Sequence, residues 1–249
     1  MASKERQIER WNNLIQPKLE YLTCYICNTT DLNENFKKLY ANDIFCAGTI
    51  IRHTCPNCSL IFSDLRFLNL SDDEILNDYN DAYSYFTEGD NLNIYIDVLN
   101  SIDIFQNKNL KYLDYACGLG HIVSFLKNKE YNINGYDKYV KVDKILNNID
   151  GLKFDVIFST NFIEHLINPI EQIKDMLTNL NYNGYLIFMS DCIDEYKVEF
   201  THFHTFYYTG KSFDLLCEKL NLQIIESKTV GPCKIKVLRK NDDFIPLDI

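Results

Sequence analysis

Two short cysteine pairs constrain this chain more than any other feature. "CYIC" supplies Cys24 and Cys27, "CPNC" supplies Cys55 and Cys58, and 27 residues lie between the pairs. Each pair spaces its sulfurs for one tight turn, and four thiolates presented two and two are the donor set of tetrahedral Zn2+. Redox chemistry in one or both pairs is the alternative, and two matched pairs favour the metal. Four cysteine ligands leave no open position, so the ion would hold a fold together and catalyse nothing. Of the nine cysteines, the other five (Cys46, Cys117, Cys192, Cys217 and Cys233) stand in mostly apolar stretches and read as buried free thiols. His53 reads as local structure, a ligand only if one cysteine fails to reach the ion.

At 249 residues and 46% hydrophobic, the chain can bury a sizeable core. A formal net charge of -10 argues against a general nucleic-acid surface, although Lys37, Lys38, Arg52 and Arg66 could form a local basic patch. No apolar run reaches 18 residues, and "MASKERQIERW" lacks the apolar stretch of a signal peptide. A cytoplasmic protein is expected, with a small-molecule substrate, no nucleic-acid partner and no membrane insertion.

Residues 1–68 read as a zinc-binding module, opened by a helix around "ERQIERWNNLI" and closed by the hairpin-like "IRHTCPNCSLIFS". Residues 69–108 read as a helical lid or connector. Ser71 stands three residues before Glu74, a capping box for a helix carrying Tyr79, Tyr83 and Phe86, and a second helix runs through "NLNIYIDVLNSIDIF". From 109 to 249 short apolar strands alternate with helices: "KYLDYA", "YNINGYD", "FDVIFST" and "GYLIFMSD", then "LQIIESKTV" and "CKIKVLRK" after a further helix. The expected class is therefore α/β, a Rossmann-like, mostly parallel seven-stranded sheet with a small amino-terminal zinc module. Ligands of such sheets sit beyond the carboxyl ends of the strands.

"LDYACGLGH" is a strand running into a glycine turn and a helix. A triphosphate loop needs Gly-Lys-Ser/Thr, which "GLGHIV" lacks. A dinucleotide turn needs a third glycine for close helix–strand approach, and that place is Val123. S-adenosylmethionine has no phosphates; it needs a tight turn and a carboxylate after the second strand to accept from the ribose hydroxyls. Asp137 is that carboxylate, and Asp114 precedes the turn, where it orients the loop or meets the methionine amino group.

Together, "LDYACGLGH", "INGYD", "FDVIFSTNFIEHLINP" and "NYNGYLIFMSD" resemble the successive motifs of class I S-adenosylmethionine-dependent methyltransferases. The resemblance implies that Asp114, Ala116, Gly118 and Gly120 form the cofactor loop, that Asp137 binds ribose, that Asp143 is the nearest acid to the adenine, and that the segment from Asn161 lines the methionine side. Ala116 departs from the usual glycine. A helix before the first strand could fold over the cofactor, with Tyr83 touching its carboxylate. With an amino-terminal four-cysteine module, the chain resembles a bacterial subgroup that modifies activated sugars and related precursors of surface glycans, such as capsule, or of antibiotics.

Methyl transfer to a hydroxyl needs alignment, dryness and a base. His165 follows the strand "FDVIFST", and His121 opens the helix after the glycine turn. In "SDCIDEYKVEFTHFHTFYYTG", Asp191 ends a strand, and His202 and His204 would share one face of an extended segment rich in aromatics. His202 is the preferred general base, oriented by Asp191 or Glu195; a metal held by Asp191, His202 and His204 is a chemically reasonable variant. The leading function is O-methylation of an activated sugar or phosphorylated precursor. RNA or protein methylation and a non-catalytic zinc-bearing assembly module compete with it.

Overall fold

The computed structural model describes residues 2–83, 92–196 and 201–240, leaving aside the side chains of residues 2, 3, 82 and 83. In chain order come α1 (Ala2–Asn12), β1 (Tyr21–Thr23), β2 (Thr30–Leu32), β3 (Lys37–Asn42), β4 (Thr49–Thr54) and β5 (Ile61–Phe62). Three helices follow, α2 (Leu65–Leu68), α3 (Asp72–Tyr83) and α4 (Leu92–Asn100). Next are β6 (Tyr112–Tyr115), α5 (His121–Asn128), β7 (Ile133–Tyr136), β8 (Phe154–Thr160), α6 (Pro169–Thr178) and β9 (Leu180–Ser190). The chain continues through β10 (Phe206–Tyr207), α7 (Ser212–Lys219), β11 (Leu222–Val230) and β12 (Cys233–Lys240). Among the described residues, no helix is long and apolar enough to cross a membrane.

The residues group into two units, one of Met1–Thr87, Ile163–Pro169 and Cys192–Leu215, the other of Glu88–Phe162, Ile170–Asp191 and Leu216–Ile249. In the first unit β1 and β2 form one hairpin, and β10, β5, β4 and β3 form an antiparallel sheet in that order. α1 forms over "ASKERQIERWN", and its Trp11 is buried with Ala47 and Phe67. The capping box at α3 is made: the Ser71 N–H donates to Glu74 Oε2 at 2.8 Å and the Glu74 N–H to Ser71 Oγ at 3.4 Å. Asp78 on α3 then ties the two helices, accepting from the Trp11 indole at 3.0 Å and from the Arg10 guanidinium.

The second unit corrects the expected sheet. Among the described residues it has six strands in the order β11, β12, β9, β8, β6, β7, with three parallel ladders (β6–β7, β6–β8, β8–β9) and two antiparallel ones (β12–β9, β11–β12). The sheet is thus mixed and six-stranded, and two further antiparallel sheets accompany it in the chain. Two local causes are visible. β11 and β12 are joined by Gly231 and Pro232 alone, a connection that makes a hairpin, whereas parallel neighbours need a crossover of a dozen or more residues. Beyond β7, the segment "DKYVKVDKILNNIDGLK" has no alternating apolar run, and it contributes a single bridge, Tyr136 to Leu146, where another strand would extend the sheet. The core behind β6 and β8 buries Phe105, Tyr112, Phe158, Ile187 and Ile235, side chains that each contribute about 1.5–3 kcal/mol on leaving water.

Candidate active site

The two cysteine pairs occupy equivalent turns. Cys24 N–H donates to the Thr29 carbonyl at 2.9 Å and Asn28 N–H to Cys24 at 3.1 Å; Cys55 N–H donates to Leu60 at 2.8 Å and Ser59 N–H to Cys55 at 3.0 Å. The fifth residue of each turn has positive φ, 58° at Asn28 and 66° at Ser59. The first turn closes the β1–β2 hairpin and the second the β4–β5 hairpin. All four sulfurs lie within 4.8 Å of one another, with Cys24 to Cys58 and Cys27 to Cys55 at 3.5 Å. A tetrahedron with 2.3 Å metal–sulfur bonds has edges of about 3.8 Å, so the cluster can coordinate a metal with small adjustments. Burial works against ionising Cys27, but the Thr29 hydroxyl and amide outweigh it and bring its pKa to about 6. His53 takes no place in the cluster: it is buried and stacked on Phe62, and burial, reinforced by Lys38, lowers its pKa to about 4.

In the second unit the glycine turn is built from left-handed residues, Ala116 at φ 58°, Gly118 at 51° and Gly120 at 70°. Ala116 explains why glycine is usual there: the departure is a matter of backbone conformation, worth about 1–2 kcal/mol for an L residue, rather than of space. A Cβ on Gly120 would meet Ile145 Cγ2 at 2.9 Å. Val123 fills the place of a third glycine because the small residue sits opposite it. Gly135 on β7 has room for no Cβ, which would lie 2.7 Å from Val123 Cγ2 and 2.8 Å from Cys117 Sγ. Close helix–strand approach is kept with the bulky partner exchanged.

Asp137 follows β7 and is 8% exposed. Its Oδ2 accepts from Gly118 N–H at 3.0 Å, and its Oδ1 from Tyr139 and Val140 N–H at 2.8 and 2.9 Å. Three of about four acceptor sites are thus taken by backbone, leaving about one on Oδ2, so a diol that donates twice has to share or displace one of these amides. Asp114 is buried on β6, and Asp143 is exposed. Asn161, at φ 46°, donates to Met189 O at 2.9 Å through its backbone and to the Tyr95 hydroxyl through its side chain. Tyr95 on α4 is a residue the sequence reading missed, one member of an apolar helical stripe. His121 is the first residue of α5, capped by Gly120. The Tyr83 side chain and Phe86 lie outside the described residues, and Tyr79 rests near Phe203 at 6.3 Å between ring centroids.

The histidines of the first unit part company. Thr201 to His204 is a turn closed by His204 N–H to Thr201 O at 3.3 Å, so His202 and His204 do not share the face of an extended segment. His202 is 2% exposed, with its ring 3.9 Å from that of Trp11. Its Nδ1 stands 3.1 Å from Asp43 Oδ1, the position for which Asp191 and Glu195 were expected. Asp43 also accepts from the backbone of His202, Phe45 and Ala47. Burial raises the Asp43 pKa, but the His202 hydrogen bond and these amides more than offset it and hold the carboxyl below its usual value. The carboxylate puts the ring proton on Nδ1, and the Nε2 atom is buried without a hydrogen-bond partner. His202, His165, Asp78 and Thr205 line a cavity of about 40 Å³.

His165 Nδ1 donates to the Phe203 carbonyl at 3.0 Å. Its ring meets that of His204 edge-on at 4.9 Å, and ligating atoms of Glu164, His165 and His204 lie within 4.8 Å of one another. His204 keeps some surface exposure, yet burial, with Arg52 and His202 adding to it, lowers its pKa to about 4. Asp191 is half-buried at the end of β9. Arg52 is fully buried, donating to Thr201 O at 2.8 Å and lying 4.6 Å over the Tyr207 ring, and Arg66 pairs with Asp64 at 2.7 Å. Two members of the supposed basic patch are therefore internal partners.

No curated protein matches the chain. Among solved structures, it is similar to a Burkholderia thailandensis 1,6-didemethyltoxoflavin-N1-methyltransferase with bound 1,6-didemethyltoxoflavin and S-adenosylhomocysteine, at 12% identity, TM-score 0.54, over 83% of this chain and 100% of that one. The mitomycin 7-O-methyltransferase MmcR (12%, TM-score 0.48, 68% of this chain) and a Burkholderia thailandensis O-methyltransferase family protein (13%, 0.48, 72%) are also similar, and the chain spans 57% and 63% of their lengths. A family model described as a methyltransferase domain matches residues 93–227. With the glycine turn, Asp137 and the parallel-paired strands β6 to β9 all falling in that stretch, the chain belongs to this methyltransferase-domain family and carries a class I S-adenosylmethionine-dependent methyltransferase domain beside its four-cysteine cluster.

Proposed function

We propose that the chain binds S-adenosylmethionine in its second unit and methylates an oxygen of a small polar acceptor, an activated sugar or phosphorylated glycan precursor. The observation that carries the reading is the turn of Ala116, Gly118 and Gly120 closing on the Asp137 carboxylate, a cradle that lacks the lysine of a triphosphate loop and ends in an acid. Asp137 takes the ribose hydroxyls, Asp114 and the turn take the methionine part, Asp143 is the acid nearest the adenine, and the segment from Asn161, braced by Tyr95, lines the methionine and acceptor side. The cofactor supplies a methyl group already activated by its sulfonium charge. His202, oriented by Asp43, is the base. The cavity of about 40 Å³ that it lines has room for a water. Zn2+ in the four-cysteine cluster is structural, since four thiolates close its coordination. The internal engagement of Arg52 and Arg66 speaks against RNA as the acceptor.

The test is calorimetric titration of the zinc-replete protein with S-adenosylhomocysteine, with Asp137→Ala beside it. Micromolar binding lost in the variant supports the reading and leads to methyl-uptake assays on nucleotide sugars and sugar phosphates. A folded protein that binds no S-adenosylhomocysteine overturns it.

A further inference from the structure

Phe67, Tyr79 and Phe203 share the wall of the first unit's cavity with Asp78, His202 and Thr205. What the polar residues can still bind follows from where their protons already go. Asp43 accepts at 3.1 Å from His202 Nδ1, so the ring proton stays on that nitrogen and Nε2 carries an electron pair. Among the described residues, the buried Nε2 has no hydrogen-bond partner. Asp43 is not part of the cavity wall, and the faces of the imidazole are packed by Trp11, Phe203 and Phe67, with ring centroids 3.9, 4.0 and 4.8 Å away. The ring therefore meets the cavity with its remaining edge, the one that bears Nε2.

Two neighbours in the wall have the same character. The Asp78 carboxylate takes one bond on each oxygen, from the Arg10 guanidinium and from the Trp11 indole, out of about four acceptor sites. The Thr205 hydroxyl donates to the carbonyls of Glu164 and Leu166, which commits its proton and leaves its electron pairs. Asp78, His202 and Thr205 are all buried, so three residues bring spare acceptors to one enclosed space, and a buried acceptor left without a donor is costly. An anion without a proton would set electron pairs against electron pairs there. A hydroxyl brings the missing proton, and the aromatic rings receive the carbon that carries it.

We propose that this cavity is a binding site for a neutral hydroxyl group, which water supplies in the resting protein and the acceptor supplies during turnover. Its volume of about 40 Å³ exceeds the roughly 10–15 Å³ that one water needs. The part played by the acceptor rests on the methyl-transfer reading, whereas the preference for a hydroxyl donor does not. Applied to a phosphorylated acceptor, the site fixes its orientation: a hydroxyl enters towards His202, and the phosphate stays outside this cavity.

Trp11 is the only tryptophan of the chain and its indole N–H is bonded to Asp78 at 3.0 Å, so the single indole peak of a proton–nitrogen correlation spectrum reports on the wall. The zinc-replete full chain, without cofactor, is titrated with ethylene glycol, with its dimethyl ether, which keeps the O–C–C–O skeleton and has no donor, and with sodium sulfate. Ethylene glycol should shift the peak saturably and bind about fivefold or more tightly than the ether, and sulfate should give no saturable shift. His202→Phe, checked by far-UV circular dichroism, should abolish the difference between glycol and ether; the wild-type comparison decides the matter if that variant does not fold. The proposal is overturned if the ether binds as well as the glycol, if neither shifts the peak saturably, or if sulfate competes with the glycol. Since no cofactor is present, failure here is distinct from failure to bind S-adenosylhomocysteine, which overturns the methyl-transfer reading instead.

Discussion

The cysteine turns and the Asp43–His202 pair are both polar constructions inside the first unit, and they are assembled in opposite ways. Each cysteine turn sets two sulfurs by its own six-residue hydrogen-bond pattern, repeated in the two hairpins. Asp43 and His202 are 159 residues apart, and nothing near either one announces the other. A site whose geometry is made within a turn is legible as spacing. A site made by packing two distant loops becomes visible only once the chain has closed.

The comparison can be broken from its strongest side first. Cys24→Ser with Cys58→Ser should abolish metal binding and unfold the first unit, because a structural zinc contributes about 10–16 kcal/mol against a total stability of about 5–15; zinc content with limited proteolysis reports both. Asp43→Ala should cost about 3–5 kcal/mol in urea unfolding, since it removes one partner of a buried pair, and should slow methyl transfer about 10²- to 10⁴-fold if His202 is the base. A cost below about 1 kcal/mol would mean that the pair is not a structural counterpart of the cysteine turns.

The same carboxylate gives a pH signature. Its pKa is depressed on folding from an ordinary value of 3.8, so its contribution is fully present above that value and is lost as pH falls through the folded one. Asp43→Asn should therefore flatten the acid limb below about pH 4 relative to wild type. Comparing the two proteins cancels acid release of the metal.

A smaller effect tests the exchanged glycine. Gly135→Ala should cost about 1–3 kcal/mol by overpacking against Val123, and Val123→Ala should recover most of it in the double variant. If the second change recovers nothing, Cys117 and Ile145 are the obstructing neighbours. The smallest effect belongs to the most local device: Ser71→Ala should cost about 1 kcal/mol through loss of the α3 cap, with no change in metal or cofactor binding.

Much of the second unit could be read in advance. Strand, turn and helix around "LDYACGLGH" follow from apolar periodicity and glycine, and Asp137 stands directly after the second strand, as the pattern placed it. The sheet was misjudged because strand existence is a property of a segment, whereas strand count and direction depend on neighbours. The segment after Asp137 lacks the apolar alternation to extend the sheet, and the Gly231–Pro232 link turns the chain back on itself. The histidine pair was misjudged for a similar reason: two-residue spacing implies a shared face only in an extended chain, and Thr201 to His204 turns.

By itself the sequence determined the cysteine turns, the capping box and the glycine turn. Their physics acts within a few residues, through φ preferences, hydrogen bonds to near neighbours and fixed donor spacing. Tertiary structure alone decided that Asp43 meets His202, that Glu164 and His165 meet His204, that Gly135 makes room for Val123, and that Arg52 is buried rather than displayed. Those pairings arise from burial, which is a property of the closed chain and is not encoded in the spacing of any one segment.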